Sequence, residues 1–364
     1  MSIHFHSLTV RSIQKATEDC VVVTFDIPEN LQKEFAFRQG QSLTMRTTLN
    51  NEEVRRTYSL CSSPLDHEWK VAIKKVDGGL FSSFANGQLT AGDALEVMQP
   101  VGKFYVDLDP THQKNYLALA AGSGITPVLS IIKTTLLTEP KSNFTLIYGN
   151  RSRSSIIFFE ELEGLKNQFL NRFQLVHLLS RERTEIDLNN GKINAAKLDE
   201  LATLINYNSV DEFFICGPEE MIFSIQDYFT GKGIDKKKIH FELFTTPGQP
   251  AYSGKEKLSP QKLQEENSGP QANITIQLDG RSFSFNQSLQ SKRSILDAAM
   301  QEGADLPFAC KGGVCCTCKA KLLEGKVDMD VHWGLEDDEV QQGYILTCQS
   351  HPTSEKLVID FDIK

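Results

Sequence analysis

The sequence predicts a multidomain protein that joins an antiparallel β-barrel, a doubly wound α/β domain and a C-terminal α+β domain. Its 364 residues leave room for two or three domains that each bury a core. Before Pro110 the chain alternates apolar and polar residues over short runs, and after Pro110 apolar strand-like runs alternate with helical patterns. We therefore assign the barrel to residues 1–108, the α/β domain to residues 109–246 and the α+β domain to residues 273–364.

The first domain contains five short runs with the period of two that is typical of strands. Turn residues such as Asp77-Gly78-Gly79 separate these runs. A small antiparallel barrel or sandwich is the predicted architecture. The predicted strands are residues 5–10, 21–27, 41–48, 69–76 and 94–98.

In the second domain, alternating strand and helix patterns predict parallel strands joined by crossover helices. The predicted strands are residues 116–121, 144–148, 173–179 and 212–216. The predicted helices are residues 127–137, 155–168, 195–205 and 219–229.

Residues 247–272 are rich in Pro, Gly, Ser, Gln and Lys and have few apolar residues to bury. Their number exceeds that of most loops in compact domains, which favours a linker over a loop that closes onto the α/β domain. After it, the sequence predicts strands at residues 274–278 and 282–285 and a helix at residues 295–302.

Composition and charge exclude several classes of function. The formal net charge of -9 argues against a general nucleic-acid binder. No apolar run approaches the length of a membrane span, and no basic stretch followed by an apolar run opens the sequence. We expect a cytoplasmic protein, where clustered cysteines indicate a metal site before disulfides.

Four cysteines near the C-terminus have the spacing C-x4-C-x2-C…C: Cys310, Cys315, Cys318 and Cys348. This spacing is typical of plant-type [2Fe–2S] clusters, in which four thiolates hold two irons. Zinc is the weaker alternative, because zinc sites usually combine two separated C-x2-C pairs. Cys316 lies between two predicted ligands, so we expect its side chain to point away from the irons.

A flavin site is predicted in the first domain. Arg56 and Tyr58 share one face of a strand, where a cation and an aromatic ring suit a pyrophosphate and an isoalloxazine. Gly79 ends the next strand and opens a short helix, whose first amides can bind phosphate. A cross-strand pair and a plain turn are the structural alternatives for these two motifs.

A nicotinamide site is predicted at two strand-to-helix turns of the second domain. Gly122-Ser123-Gly124-Ile125-Thr126-Pro127 follows one strand, and Cys216-Gly217-Pro218 follows another. Glycines permit close approach of the backbone to a pyrophosphate, at the sheet edge where open α/β sheets bind ligands. Cys216 either lies near the reacting nicotinamide carbon or only fills a tight position.

Two further strand ends bear on the choice of coenzyme. Arg151 follows one strand, Ser180-Arg181 follows the next, and neither carries an acidic residue at the ribose position. Arginine there favours a 2′-phosphate and hence NADPH, with NADH as the alternative.

With these motifs, the chain resembles the ferredoxin–NADP reductase family fused to a plant-type ferredoxin, whose fold is β-grasp-like. The sequence from Pro307 to Pro352 is similar to that of reductase subunits of bacterial phenylacetyl-CoA epoxidase (oxygenase) complexes. Ketosteroid hydroxylase reductases share the domain order.

The resemblance implies which residues contact the cofactors. For FAD they are Arg56, Tyr58, Ser59, Gly79, Phe81 and Ser82, with Ile73, Lys74 and Val76 in the adjoining strand and Glu242 and Phe244 at the end of the module. For NADPH they are Gly122, Gly124, Ile125, Thr126, Pro127, Cys216, Gly217 and Pro218, beside Arg151, Ser180 and Arg181.

The function that follows is an electron relay from NADPH through FAD and the cluster to a partner di-iron oxygenase, without a catalytic acid–base group, in phenylacetyl-CoA degradation. An oxygenase of the ketosteroid hydroxylase type is the alternative partner. Two further hypotheses are a redox sensor without turnover and a flavin reductase with a vestigial cluster. The acidic run Glu336–Glu339 either steers the partner or is a solvated helix end.

Overall fold

A computed structural model of the chain describes residues 4–244 and 269–363. The described residues divide into two compact units, of which one spans Phe5–Phe244 and the other contains residues 269–363. The predicted linker lies outside the described residues as far as residue 268. Among the described residues, no helix has the length and apolar character needed to cross a bilayer.

The first domain is a six-stranded antiparallel sheet in the order β4-β3-β6-β1-β2-β5. A bridge between Leu60 and Val71 brings the two end strands together, so the sheet closes on itself. The alternating apolar residues that predicted the strands fill its interior. The elements are β1 (Phe5–Thr17), β2 (Cys20–Asp26), β3 (Ser42–Leu49), β4 (Glu52–Ser59), β5 (Trp69–Lys74), α1 (Leu80–Gly87) and β6 (Ala94–Met98).

The second domain is a five-stranded parallel sheet in the order β11-β10-β7-β8-β9. Parallel pairing places all the strand carboxyl ends at one edge of the sheet, where the predicted nicotinamide turns lie. The elements are β7 (Asn115–Ala121), α2 (Ile125–Thr138), β8 (Asn143–Asn150), α3 (Phe159–Gln168), β9 (Phe173–Leu179), α4 (Ala195–Leu201), β10 (Glu212–Cys216), α5 (Glu219–Gly231) and β11 (Ile239–Glu242).

Two predicted helices of this domain had wrong ends. Residues 155–158 do not belong to α3, because Phe158 has a left-handed backbone with φ of 63° and breaks the helical path. Residues 202–205 lie beyond the end of α4 at Leu201. The predicted fold class is confirmed.

Helix α2 packs against the barrel through a row of small polar side chains. Ser130 donates a hydrogen bond to the Ser62 carbonyl over 2.6 Å, and the Ser63 and Thr134 hydroxyls lie 2.9 Å apart. Lys133 pairs with Asp66 at 2.8 Å. These buried, directional contacts fix the orientation of the barrel relative to the nucleotide sheet.

The C-terminal unit is a five-stranded mixed sheet in the order β13-β12-β18-β14-β16, with a separate pair, β15-β17. Only the β12–β18 contact is parallel within the described part of this sheet. The elements are β12 (Gln271–Leu278), β13 (Arg281–Ser288), α6 (Ile295–Gln301), β14 (Lys319–Glu324), β15 (Val327–Met329), α7 (Asp337–Gln341), β16 (Tyr344–Leu346), β17 (Ser350–Pro352) and β18 (Lys356–Asp360).

Gly40 lies two residues before β3 and next to α2, where the barrel packs against the second domain. A substitution at Gly40 therefore tests this packing. The φ of Gly40 is +80°, and a Cβ atom there would lie 2.0 Å from the Phe104 carbonyl oxygen and 3.2 Å from Ile131. A side chain at this position must displace backbone.

We expect Gly40→Ala to lower the free energy of unfolding by ~2 kcal/mol or more, because both the left-handed φ and the backbone contact oppose a Cβ. Gly87→Ala is the matched control, since a Cβ there meets nothing within 4 Å and helix α1 gains about 0.5–1 kcal/mol. Urea denaturation measures both. Equal stability of the two variants would contradict the packing described here.

Candidate cofactor-binding sites

The two predicted nicotinamide turns meet at the carboxyl edge of the parallel sheet. A Cβ atom on Gly124 would lie 2.1 Å from the Cys216 carbonyl oxygen, so the turns can approach only with glycine at this position. Gly122 has φ of +55°, and the Tyr148 hydroxyl donates to its carbonyl over 2.9 Å. The structure therefore brings the two motifs together into one backbone surface.

Helices α2 and α5 both begin at this surface, and neither has a side-chain cap on its first amides. Such amides are available for an anionic ligand. The first turn of α5 carries Glu219 and Glu220, whereas that of α2 carries no acidic residue. A pyrophosphate is therefore favoured at α2, beside Ile125 and Thr126, with Pro127 pre-organising the helical first turn.

The two arginines predicted to select the coenzyme lie side by side. The Arg181 amide donates to the Arg151 carbonyl over 2.8 Å, and the Ser180 amide donates to the Asn150 carbonyl over 3.0 Å. Both arginine side chains are exposed. They follow β8 and β9 at the same sheet edge as the glycine turns, which is where the ribose of a dinucleotide is expected.

Flavin and nicotinamide motifs meet at one part-buried hydrogen bond. The Ser59 hydroxyl, at the end of β4 in the barrel, donates to Glu242 Oε2 over 2.8 Å. Glu242 ends β11 and pairs in the sheet with Cys216. Burial raises the pKa of Glu242 to about 7, against a smaller lowering by the Ser59 hydrogen bond. Burial likewise raises the pKa of the Cys216 thiol well above its usual value.

The aromatic and cationic flavin residues lie on β4 as predicted. Tyr58 packs against Phe81 with ring centroids 5.7 Å apart, and burial raises its pKa. Arg56 is half-buried two residues away and donates to the Arg55 carbonyl over 2.7 Å. Helix α1 begins after Gly79 without a side-chain cap, so the neighbouring amides suit a phosphate. This combination fits a flavin dinucleotide.

Several predicted flavin residues support the site rather than line it. Ile73 and Phe81 lie in the barrel core, and Lys74 lies 3.5 Å from Asp19. The Ser82 hydroxyl accepts from the Val76 amide over 3.1 Å and donates to the Gly79 carbonyl over 3.2 Å, closing the loop.

The placement of Val76 within the strand was wrong. Strand β5 ends at Lys74, because its partner β2 begins at Cys20, and Val76 follows in an exposed loop. Phe244, predicted to cover the flavin, is 44% exposed.

Antiparallel pairing brings the C-terminal cysteine to the other three. Cys318 immediately precedes β14 and Cys348 follows β16, and these strands pair with Lys319 opposite Leu346. The Thr347 amide and hydroxyl both donate to the Cys318 carbonyl, over 3.2 and 3.1 Å. Cys348, which is 30 positions from Cys318 in the sequence, thereby becomes a neighbour of the C-x4-C-x2-C loop.

The four thiols influence one another's pKa most strongly as two neighbouring pairs, Cys310 with Cys315 and Cys318 with Cys348. A [2Fe–2S] cluster needs two thiolates for each iron. The pairing of the thiols therefore fits the two irons of such a cluster.

The loop also presents amides to sulfur. The Gly312 and Cys315 amides lie 3.2 and 3.5 Å from Cys310 Sγ. The Cys315 thiol and these amides lower the pKa of Cys310 to about 6 against the effect of burial. Such hydrogen bonds stabilise thiolate ligands. The path of the loop requires left-handed backbone at Lys311, Gly313 and Cys316, with φ of 52°, 74° and 56°.

Cys316, whose side chain is predicted to point away from the irons, donates from its Sγ to the Gly334 carbonyl over 2.7 Å. Thr317, which the sequence did not single out, has a buried hydroxyl with no nitrogen or oxygen partner. It contacts the Cys315 thiol. A buried hydroxyl aimed at a cluster ligand is further evidence of fit, because an unsatisfied one is costly. In the sequence, only the position of Thr317 between two predicted ligands could have indicated that it belongs to the site.

Three family models match the chain in the predicted order. An oxidoreductase FAD-binding domain matches residues 7–105, an oxidoreductase NAD-binding domain residues 118–227, and a 2Fe-2S iron–sulfur cluster binding domain residues 277–353. These matches support FAD, a nicotinamide coenzyme and a [2Fe–2S] cluster as the cofactors.

Two curated relatives match over nearly their whole length. The chain is 45% identical to one of the subunits of 1,2-phenylacetyl-CoA epoxidase from Escherichia coli, over 99% of this chain and 98% of the relative. It is 31% identical to the ferredoxin reductase component of 3-ketosteroid-9-alpha-monooxygenase from Rhodococcus rhodochrous, over 97% and 96%.

Two solved structures match the fold over nearly the whole of this chain. Phthalate dioxygenase reductase, described as a modular structure for electron transfer from pyridine nucleotides to [2Fe–2S], matches with a TM-score of 0.57 and 25% identity over 98% of both chains. A type IV self-sufficient cytochrome P450 monooxygenase matches with a TM-score of 0.67 and 21% identity, over 98% of this chain and 41% of that one.

These relatives share with this chain the succession of barrel, parallel sheet and cysteine-loop domain. The chain therefore belongs to the family of NAD(P)H-dependent oxygenase reductase components that combine FAD-binding, NAD-binding and [2Fe–2S] domains in one polypeptide.

Proposed function

We propose that this protein carries electrons from NADPH, through FAD and a [2Fe–2S] cluster, to the di-iron oxygenase component of a phenylacetyl-CoA epoxidase. The hydrogen bond between Ser59 and Glu242 carries the proposal for the flavin step, because it joins the flavin motif to the edge where both nucleotide turns lie. When bound, FAD accepts a hydride from the nicotinamide and releases electrons singly to the cluster.

The choice of oxygenase rests on the relatives. The identity of 45% to the Escherichia coli epoxidase chain is higher than the 31% to the ketosteroid monooxygenase component, which favours phenylacetyl-CoA over a steroid as the partner's substrate. The di-iron centre of the partner follows from the resemblance to epoxidase reductases. None of the eight cysteines, which all lie in the described residues, forms a disulfide, and this favours a reducing, cytoplasmic location.

In this proposal the residues of the chain position the cofactors and do not themselves react. Gly122 and Gly124 would admit the pyrophosphate of NADPH to the N-terminus of α2. Arg56 and the amides at the start of α1 would hold the pyrophosphate of FAD. Tyr58 supplies an aromatic surface for the ring. Glu242 keeps a proton beside Ser59 at the lower end of the physiological pH range, so it would present a neutral group to a flavin bound at this edge.

We expect hydride transfer from NADPH to FAD to slow about tenfold between pH 6 and pH 8. With a pKa of about 7, Glu242 is mostly protonated at pH 6 and mostly ionised at pH 8, and its buried negative charge opposes delivery of the hydride. Anaerobic stopped-flow absorbance of the flavin measures the rate. Glu242→Gln is the matched control and should give a flat profile; a profile that keeps the wild-type slope in this variant would exclude Glu242 as its source.

We expect Arg181→Ala and Arg151→Ala each to lower kcat/KM for NADPH by about 10- to 100-fold, because each removes a charge-assisted bond to the 2′-phosphate. Steady-state kinetics with ferricyanide as acceptor measures the change. NADH lacks the phosphate and serves as the control. Equal losses with both coenzymes would contradict the assignment.

We expect Cys315→Ala to lower bound iron about tenfold or more, because one iron loses half of its thiolates. Flavin content and NADPH–ferricyanide activity should persist, while electron delivery to the oxygenase is lost. Cys316→Ala is the adjacent control and should retain the iron. Iron analysis and the visible absorbance of the cluster measure the change. An iron-free Cys316→Ala variant beside an iron-loaded Cys315→Ala variant would reverse the ligand assignment.

A further inference from the structure

The residues 331–335, called here the Trp333 segment, are bound directly to the outside of the cysteine loop. The Gly334 amide donates to the Gly313 carbonyl over 2.9 Å, and Cys316 Sγ donates to the Gly334 carbonyl over 2.7 Å. A Cβ atom on Gly334 would lie 2.4 Å from the Val314 carbonyl oxygen. The contact is therefore made by backbone atoms of both segments together with the Cys316 thiol, and it ties the position of the segment to that of the loop.

This attachment presents an aromatic side chain to solvent. Trp333 is 40% exposed although its neighbour Gly334 is pressed against the loop. In residues 269–363 the other large apolar side chains with comparable exposure are Leu323 and Ile363. A tryptophan held on rigid backbone loses little conformational freedom on binding, and tryptophans are enriched among the residues that dominate protein–protein affinity.

The charge beside Trp333 indicates the chemistry of the partner. Within the acidic run, Glu336 and Glu339 form the capping box of α7, and Glu339 also pairs with Lys319 at 3.2 Å. Asp337 and Asp338 are exposed. Part of the run therefore serves the helix, and the remaining carboxylates favour a partner whose contact surface carries basic residues.

We propose that the Trp333 segment is the docking surface for the oxygenase component, which receives the indole in an apolar cleft with a basic rim. The inference rests on the proposed function and names its contact site. Electron transfer weakens steeply with distance, so the acceptor must dock near the cluster loop, and the Trp333 segment is hydrogen-bonded to that loop. Leu323 and Ile363 have no such attachment to it among the contacts described.

The test compares Trp333→Ala with Trp333→Phe and with Leu323→Ala, the control for loss of an exposed apolar side chain. Each variant is prepared as the cofactor-loaded full chain and checked for equal iron and flavin. The probe is the purified oxygenase component of the phenylacetyl-CoA epoxidase from the same organism, titrated with phenylacetyl-CoA and NADPH present. Anaerobic stopped flow separately measures reduction of the flavin and of the cluster by NADPH.

We expect Trp333→Ala to raise the KM for the oxygenase by about 10- to 100-fold with internal reduction rates unchanged. Trp333→Phe should recover most of the affinity, and Leu323→Ala should match wild type. An unchanged KM would overturn the docking assignment. So would slower reduction of the cluster with an unchanged KM, which would assign Trp333 to the internal step. If wild type reduces ferricyanide but never the oxygenase, the proposed function fails and this inference with it.

Discussion

One part-buried hydrogen bond, from Ser59 to Glu242, is the constraint on which the flavin half of the molecule depends. Its two residues are 183 positions apart and belong to different domains. Breaking the contact would leave the Glu242 carboxyl without its Ser59 partner, at a position where burial already opposes its ionisation. The row of polar contacts along α2 also holds the barrel against the nucleotide sheet.

The cluster half depends on a different constraint, which is backbone geometry. Of the three left-handed residues within six positions, Lys311 and Cys316 are not glycine and are therefore costly, and they persist because the loop is held on both sides. Pairing of β14 with β16 fixes Cys318 and Cys348, and the Gln349 side-chain amide donates to the Lys311 carbonyl over 2.8 Å. Strand pairing and this amide contact thus help to arrange the four sulfurs, although neither involves a thiol.

Much of this could be predicted from the sequence because the decisive signals are local. The cysteine spacing, the glycine turns and the switch from period-two to helical patterns each lie within short windows, and the domain order followed from them. What escaped prediction depends on distant contacts. The end of β5 before Val76 is set by where β2 begins, and the break before α3 by the backbone of Phe158. The Thr317 hydroxyl lies beside the Cys315 thiol only in the folded loop, so the sequence did not indicate a role for it.

The way Arg151 and Arg181 are joined has a consequence for the evolution of the enzyme. Their link is a main-chain hydrogen bond, and both side chains project into solvent, so the fold does not depend on which side chains occupy these positions. Gly124, by contrast, is fixed by its close approach to the Cys216 carbonyl. If the two arginines select the coenzyme as proposed, preference for one pyridine nucleotide can therefore change through surface substitutions that leave the backbone of the glycine turns as it is.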